Sequence, residues 1–152
     1  MASSRKPVTP DQRSRDLRKD LKTVEKEEPG PDRAERLADL ARAAHDDRQL
    51  NMAMHAAELC LAEDPAAPDL LVAAYRIDAQ GEEHLQALAD LRDLARYLDR
   101  RDVIEIADSH LESAARDWVA AGDEGERRYR LRSVQSLTSR ELADQLRDEL
   151  DR

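Results

Sequence analysis

The sequence predicts an all-α protein built as an antiparallel array of helices. Three observations carry that expectation. The chain is 40% apolar but only 3% aromatic, with no Phe and one Trp, so its apolar content is mostly Leu and Ala. These residues favour helix, whereas strands draw on β-branched and aromatic residues. Apolar positions recur every three or four residues in one segment after another. Between the segments stand helix starts and stops: Ser, Thr or Asp followed three residues later by Glu or Gln, and Pro or Gly.

Taken in order, Thr9-Pro10-Asp11-Gln12 opens the first helix, with Thr9 as N-cap and Pro10 in the first turn. It runs to about Glu28, and its only apolar stripe is Leu17, Leu21 and Val24. So narrow a stripe holds a helix only against another surface. Pro29-Gly30-Pro31 stops it, and the Asp32/Glu35 spacing restarts a helix over 32–46 that presents Ala34, Leu37, Ala38, Leu40, Ala41 and Ala44. Helix three (50–63) carries Ala53, Met54, Ala57, Cys60 and Leu61. Helix four (68–80) carries Leu71, Ala74 and Tyr75 and closes at Gly81. Helix five (82–98) has Leu85, Leu88, Leu91, Leu94 and Ala95.

Helix six (102–121) has the cleanest periodicity, with Val103, Ile106, Ala107, His110, Leu111, Ala114 and Trp118. Gly122 ends it. Asp123 with Glu126 starts helix seven, which has Tyr129, Val134 and Leu137. Thr138 with Glu141 starts the last helix, with Leu142, Leu146 and Leu150. The connections are short, which places successive helices side by side and antiparallel. Residues 1–31 read as a basic arm, partly disordered or folded as one amphipathic helix, and 32–152 as a single helical domain.

Charge and cysteine usage narrow the function classes. The net charge is −9, yet residues 1–30 hold eight Lys and Arg against six Asp and Glu, while the rest holds 17 against 28. An acidic surface disfavours unaided contact with nucleic acid or anionic lipid. All Lys fall within the first 30 residues and every later cation is Arg, a bias that points to a GC-rich bacterial genome. A lone Cys60 forms no intramolecular disulfide and points to a reducing compartment. No apolar run approaches the roughly 18–20 residues of a membrane span. The first residues lack the apolar core of a secretory signal, so a cytoplasmic location is expected.

An internal echo joins Glu27-Glu28-Pro29-Gly30-Pro31-Asp32 to Glu63-Asp64-Pro65-Ala66-Ala67-Pro68-Asp69, about 36 residues on. The stretch from Ala34 to Pro65 resembles a tetratricopeptide repeat. With Pro65 as the closing proline, Leu37, Leu40 and Ala41 fall where that family has large, large and small residues, and Ala53 falls on the small position of the second helix. Ala57 and Cys60 stand where the family has a larger residue and then Ala. Residues 67–100 resemble a second unit through Leu70, Leu71, Ala74, Gly81 and Ala87, with a register shift of about one residue and no closing proline. The resemblance implies a right-handed stack of helical hairpins whose groove docks a peptide or helix, and it implies no chemistry. A helical bundle without repeats shares much of the pattern, and both architectures stay open.

Signals for chemistry are sparse. The four glycines (30, 81, 122, 125) build no phosphate loop and no nucleophile elbow. His55 with Glu58 has a metal-ligand spacing, but a dinuclear site needs a second such pair. Cys60 on an Ala-rich face reads as a small core residue. No enzyme activity, metal or cofactor is expected.

The leading expectation is therefore protein–protein interaction: an adaptor, chaperone-like or regulatory subunit. Groove positions are assigned to Tyr75, Tyr97, His110 and Trp118, with Arg127, Arg128, Arg130 and Arg132 as clamps on acidic groups. Two alternatives differ in class. One is nucleic-acid association through the arm and the Arg-rich segment 127–140. The other is a structural homo-oligomer seamed by Leu17/Leu21/Val24 or by Leu142/Leu146/Leu150.

Overall fold

The computed structural model describes residues 9–152. Residues 1–8, including the Lys6 charge of the expected arm, lie outside the described residues. The described residues form eight α-helices and no strand: α1 (Pro10–Glu25), α2 (Pro31–Asp46), α3 (Leu50–Glu63), α4 (Ala67–Arg76), α5 (Glu82–Tyr97), α6 (Arg101–Ala121), α7 (Glu124–Leu137) and α8 (Arg140–Leu150). The protein is all-α, and its helices pack as sequence-adjacent pairs. Among the described residues no helix is long and apolar enough to cross a membrane.

The chain divides into two compact units at Leu71/Val72, inside α4. In the first unit, α2 and α3 form a hairpin and α1 lies on α2. Ala34, Leu37, Ala38, Ala41 and Ala44 of α2 and Ala53, Ala56, Ala57 and Cys60 of α3 are all buried. Small side chains let two helix backbones approach closely, and the Cys60 thiol lies 3.2 Å from the Ala34 carbonyl oxygen. The narrow stripe of α1 finds the surface it needs, since Leu21 and Val24 are buried. Arg33 secures that docking: its Nε and Nη2 donate to the Val24 and Glu25 carbonyls at 2.9 and 3.2 Å. These carbonyls stand at the open end of α1, the Val24 carbonyl also accepting from the Glu27 amide at 3.0 Å, and a cation suits the negative end of the helix.

In the second unit, α5 and α6 form one hairpin and α7 and α8 another; α7 packs on α5 and α6, and α8 on α6. The core comprises Leu85, Leu88, Leu91, Leu94 and Ala95 of α5, Val103, Ala107, Leu111, Ala115 and Val119 of α6, Leu131 and Val134 of α7, and Ala143 and Leu146 of α8. The buried ladder of α6 thus steps by four from Val103 to Val119. Ile106, His110, Ala114 and Trp118 form a parallel, half-buried edge beside it.

Several helix ends differ from the sequence reading. Gly30, not Asp32, is the N-cap of α2; Asp32 sits in the first turn, where its charge still suits the helix dipole. The N-cap of α8 is Ser139, whose side chain accepts from the Leu142 amide. Thr138 instead turns its hydroxyl back to the Val134 carbonyl at 2.6 Å. Helix α4 ends at Arg76, and Asp78 takes the left-handed conformation (φ 57°). Gly81 is the N-cap of α5 rather than the close of α4, at φ 57° and ψ −129°, a combination that glycine alone adopts readily. The Asp123/Glu126 capping box is present with both of its hydrogen bonds.

Candidate partner-binding cleft

The second unit carries an open cleft of about 290 Å³ between the α5–α6 hairpin and the start of α8. Local sequence explains how it forms. The last carbonyls of α7 need donors, and the last turn of α7 contains no basic residue. Arg92 supplies one from α5: its Nη2 donates to the Leu137 carbonyl at 3.0 Å. This holds the α7–α8 corner against α5 and draws the Arg92 side chain inward, leaving the residue 8% exposed.

The guanidinium is only partly used. Beyond Leu137 its one other partner among the described residues is Asp93 at 3.5 Å, and its buried Nε has no hydrogen-bond partner there. Leu111 and Leu142 provide the apolar part of the lining. Arg92 and Arg96 stand on the α5 side, while Asp108, Glu112 and Glu141 face them from α6 and α8. The cleft thus sets two leucines and a buried arginine beside exposed groups of both signs. Such an arrangement can hold an apolar side chain flanked by groups of both signs; of the two hydroxyls in the lining, Thr138 donates to the Val134 carbonyl and Ser139 caps α8.

The residues expected to line a groove fall into three settings. Tyr75 is 1% exposed and belongs to the interior, which corrects its assignment to a groove: α4 turns its Val72/Tyr75 side inward. Tyr97, at the end of α5, is 68% exposed and stands one residue beyond Arg96 of the cleft. His110 and Trp118 lie on the half-buried edge of α6. His110 is joined there by residues that the sequence did not connect with it: Arg76 places its Nη1 3.2 Å from His110 Nδ1 and its Nε 3.0 Å from His84 Nε2.

The Arg-rich segment is not one patch. Arg127 donates to the Gly122 carbonyl at 3.1 Å and Arg130 to the Trp118 carbonyl at 2.6 Å, so both cap the C-terminal end of α6. Arg130 also lies over the Trp118 ring, 5.2 Å from its centroid, and pairs with Glu126. A Cβ on Gly122 would stand 3.1 Å from the Arg130 side chain, so glycine there makes room for the guanidinium. Arg128 and Arg132 point outward from α7 and are exposed. Between them Tyr129 donates its hydroxyl to Glu82 at 2.6 Å, which ties α7 to the first turn of α5.

Other candidates for chemistry are occupied or enclosed. His55 pairs with Glu25 of α1 at 2.7 Å rather than acting with Glu58. Burial, followed by the charges of Asp64 and Asp39, pushes the Cys60 thiol up to about 11, which disfavours the thiolate that nucleophilic chemistry needs. Among the described residues no group of three or more His, Cys, Asp or Glu side chains is placed to hold a metal ion. Comparison of the chain with models of known families, with curated proteins and with solved structures finds no match in any of the three.

Proposed function

We propose that the protein is a protein–protein interaction module, an adaptor or regulatory subunit without chemistry of its own. A segment of its partner would dock in the cleft between α5, α6 and α8. The observation that carries this reading is the cleft itself, where a buried and incompletely bonded Arg92 stands beside Leu111, Leu142 and exposed groups of both signs. A helix or extended peptide would place an apolar residue on the leucines and an acidic group toward Arg92 and Arg96. Its basic groups would face Asp108, Glu112 and Glu141. The exposed Tyr97 ring would extend the contact, since an amphipathic ring suits such a mixed surface.

The tetratricopeptide-like reading draws on the α2–α3 hairpin, where Leu37, Ala41 and Ala53 are fully buried but Leu40, the other large position, is half-buried, a pattern that helical hairpins in general share. The second unit supports it less, because α5 packs chiefly on α6 rather than pairing with α4. The nucleic-acid alternative loses two of its cations, Arg127 and Arg130, to the end of α6. Both seams of the homo-oligomer alternative are partly used within the chain: Leu21, Val24 and Leu146 are buried, while Leu17, Leu142 and Leu150 are half-buried.

The test is affinity capture with nuclease, comparing the wild-type chain with Arg96→Glu. A stoichiometric protein that survives nuclease and is lost with Arg96→Glu supports the cleft. A partner retained by Arg96→Glu places the contact elsewhere, and capture of nuclease-sensitive material alone defeats the interaction-module reading.

A further inference from the structure

Arg76 is the last residue of α4. In a chain with 34 acidic residues, its side-chain hydrogen-bond partners among the described residues are two imidazoles. Its Nε donates to His84 Nε2 at 3.0 Å, and its Nη1 lies 3.2 Å from His110 Nδ1. A guanidinium has no acceptor and keeps its protons at any physiological pH. Each facing ring nitrogen must therefore present a lone pair. This requirement fixes opposite tautomers: His84 carries its proton on Nδ1, and His110 carries its proton on Nε2. Neither bond survives protonation of the nitrogen that accepts it, because donor would then face donor and two cations would stand about 3 Å apart.

The charges around the cluster sharpen this dependence. From α4 comes Arg76, from α5 His84 and from α6 His110, and among the described residues no carboxylate is bonded to any of the three. Two carboxylates on the same hairpin, Glu82 and Glu112, are engaged toward α7 and α8. Glu82 accepts from Tyr129 and Ser133 of α7. Glu112 shares Arg116 with Glu149 of α8. Burial first, then Arg76 and His110, hold His84 below the ordinary imidazole range.

We propose that Arg76, His84 and His110 form a proton-operated latch that fastens the C-terminal turn of α4 to the α5–α6 hairpin. The latch is closed while both imidazoles are neutral and opens when either accepts a proton. The sign follows from linkage. His84 binds a proton less readily in the latched state than in the open one, so the latch is at full strength above the ordinary imidazole value of about 6.5. Its strength is lost as pH falls through the lower, latched value. Beyond Arg76 the chain offers little to retain the turn: Ile77 is 62% exposed and Asp78 sits at φ 57°. None of the three latch residues lines the cleft.

The test uses the full chain. Imidazole ¹⁵N spectra at pH 7.5 are expected to show the Nδ1–H tautomer for His84 and the Nε2–H tautomer for His110. Amide exchange over residues 72–81, corrected for intrinsic rates, is expected to lose about tenfold in protection between pH 7.5 and 5.5. The His84→Gln/His110→Gln variant, whose amides accept without titrating, is expected to lose none. In Arg76→Gln the His84 titration midpoint is expected to rise. Either imidazole in the other tautomer, a His84 midpoint at or above 6.5, or acid-induced exchange equal in the double variant would overturn the latch. The tautomers decide the matter on the wild-type chain alone if the double variant does not fold.

Discussion

Arg33 and Glu63 form an ion pair that joins the first turn of α2 to the last residue of α3. Their side chains are only 12% and 6% exposed. Because Arg33 also holds the Val24 and Glu25 carbonyls, one guanidinium binds three helices of the first unit. Removing one partner of a buried pair leaves the other charge without compensation, which typically costs a few kcal/mol. Arg33→Met is expected to destabilise the first unit by roughly 3 kcal/mol in urea unfolding. Glu63→Gln, which leaves the bonds to α1 in place, is expected to cost less, and Arg33→Met/Glu63→Met less than Arg33→Met alone. Equal losses in all three variants would mean that the pair contributes nothing beyond packing.

Cys60 is fully buried against α2 with its thiol held up to about 11. At pH 8 an aromatic disulfide reagent is expected to label it roughly 100-fold more slowly than a free thiol, because both access and thiolate are scarce. Full reactivity is expected to return in urea along the unfolding curve. Rapid labelling of the native protein would contradict the packing of the α2–α3 hairpin.

Arg130 closes the end of α6 by its bond to the Trp118 carbonyl and its place over the indole ring. Arg130→Ala is expected to cost about 1 kcal/mol and to shift Trp118 emission. As the chain contains a single Trp, the fluorescence reads that contact directly. Gly122→Ala crowds the same guanidinium and is expected to shift emission in the same direction by a smaller amount. An unchanged spectrum in both variants would show that the cation does not sit on the ring.

Three carboxylates of the second unit are held below their ordinary range. Asp102 is lowered chiefly by its hydrogen bond from Arg100, Asp123 by the Glu126 amide, and Glu149 by its hydrogen bond from Arg116. A carboxylate with a lowered folded value stabilises the fold above its unfolded value, near pH 4, and loses that contribution as pH falls through the folded one. Acid unfolding of the second unit is therefore expected to steepen below about pH 4. Asp123→Asn, which keeps a cap acceptor but does not titrate, is expected to flatten that limb in circular dichroism. An identical acid limb in wild type and variant would remove Asp123 from the cause.

Much of the fold was legible in the residues because helix periodicity is a local property. The eight helices follow from Leu and Ala spacing together with local stops and caps, and the Asp123/Glu126 box needed only its own four residues. Ion pairs one turn apart, such as Arg42 with Asp46 and Glu126 with Arg130, rest on the same local spacing, although the sequence reading did not single them out. The sequence located the apolar side of α6 but not which of two adjacent ladders lies inside. Val103, Ala107, Leu111, Ala115 and Val119 are enclosed, whereas Ile106, His110, Ala114 and Trp118 are left at the edge. The two ladders differ by about one residue position, and only the helices packed against them choose between them.

What the sequence by itself determined was the all-α class, the approximate helix spans, the acidic surface and a core of Leu and Ala. The tertiary structure alone decided where the long side chains go. Arg33 meets Glu63, Arg92 meets the Leu137 carbonyl, and Arg76 meets His84 and His110, the last across 34 residues of chain. An arginine side chain can reach in many directions from its backbone, and spacing along one helix constrains only partners three or four residues away. Partners on other helices are fixed by how the hairpins stack. For that reason the cleft and the histidine cluster become visible only once α5, α6 and their neighbours are in place.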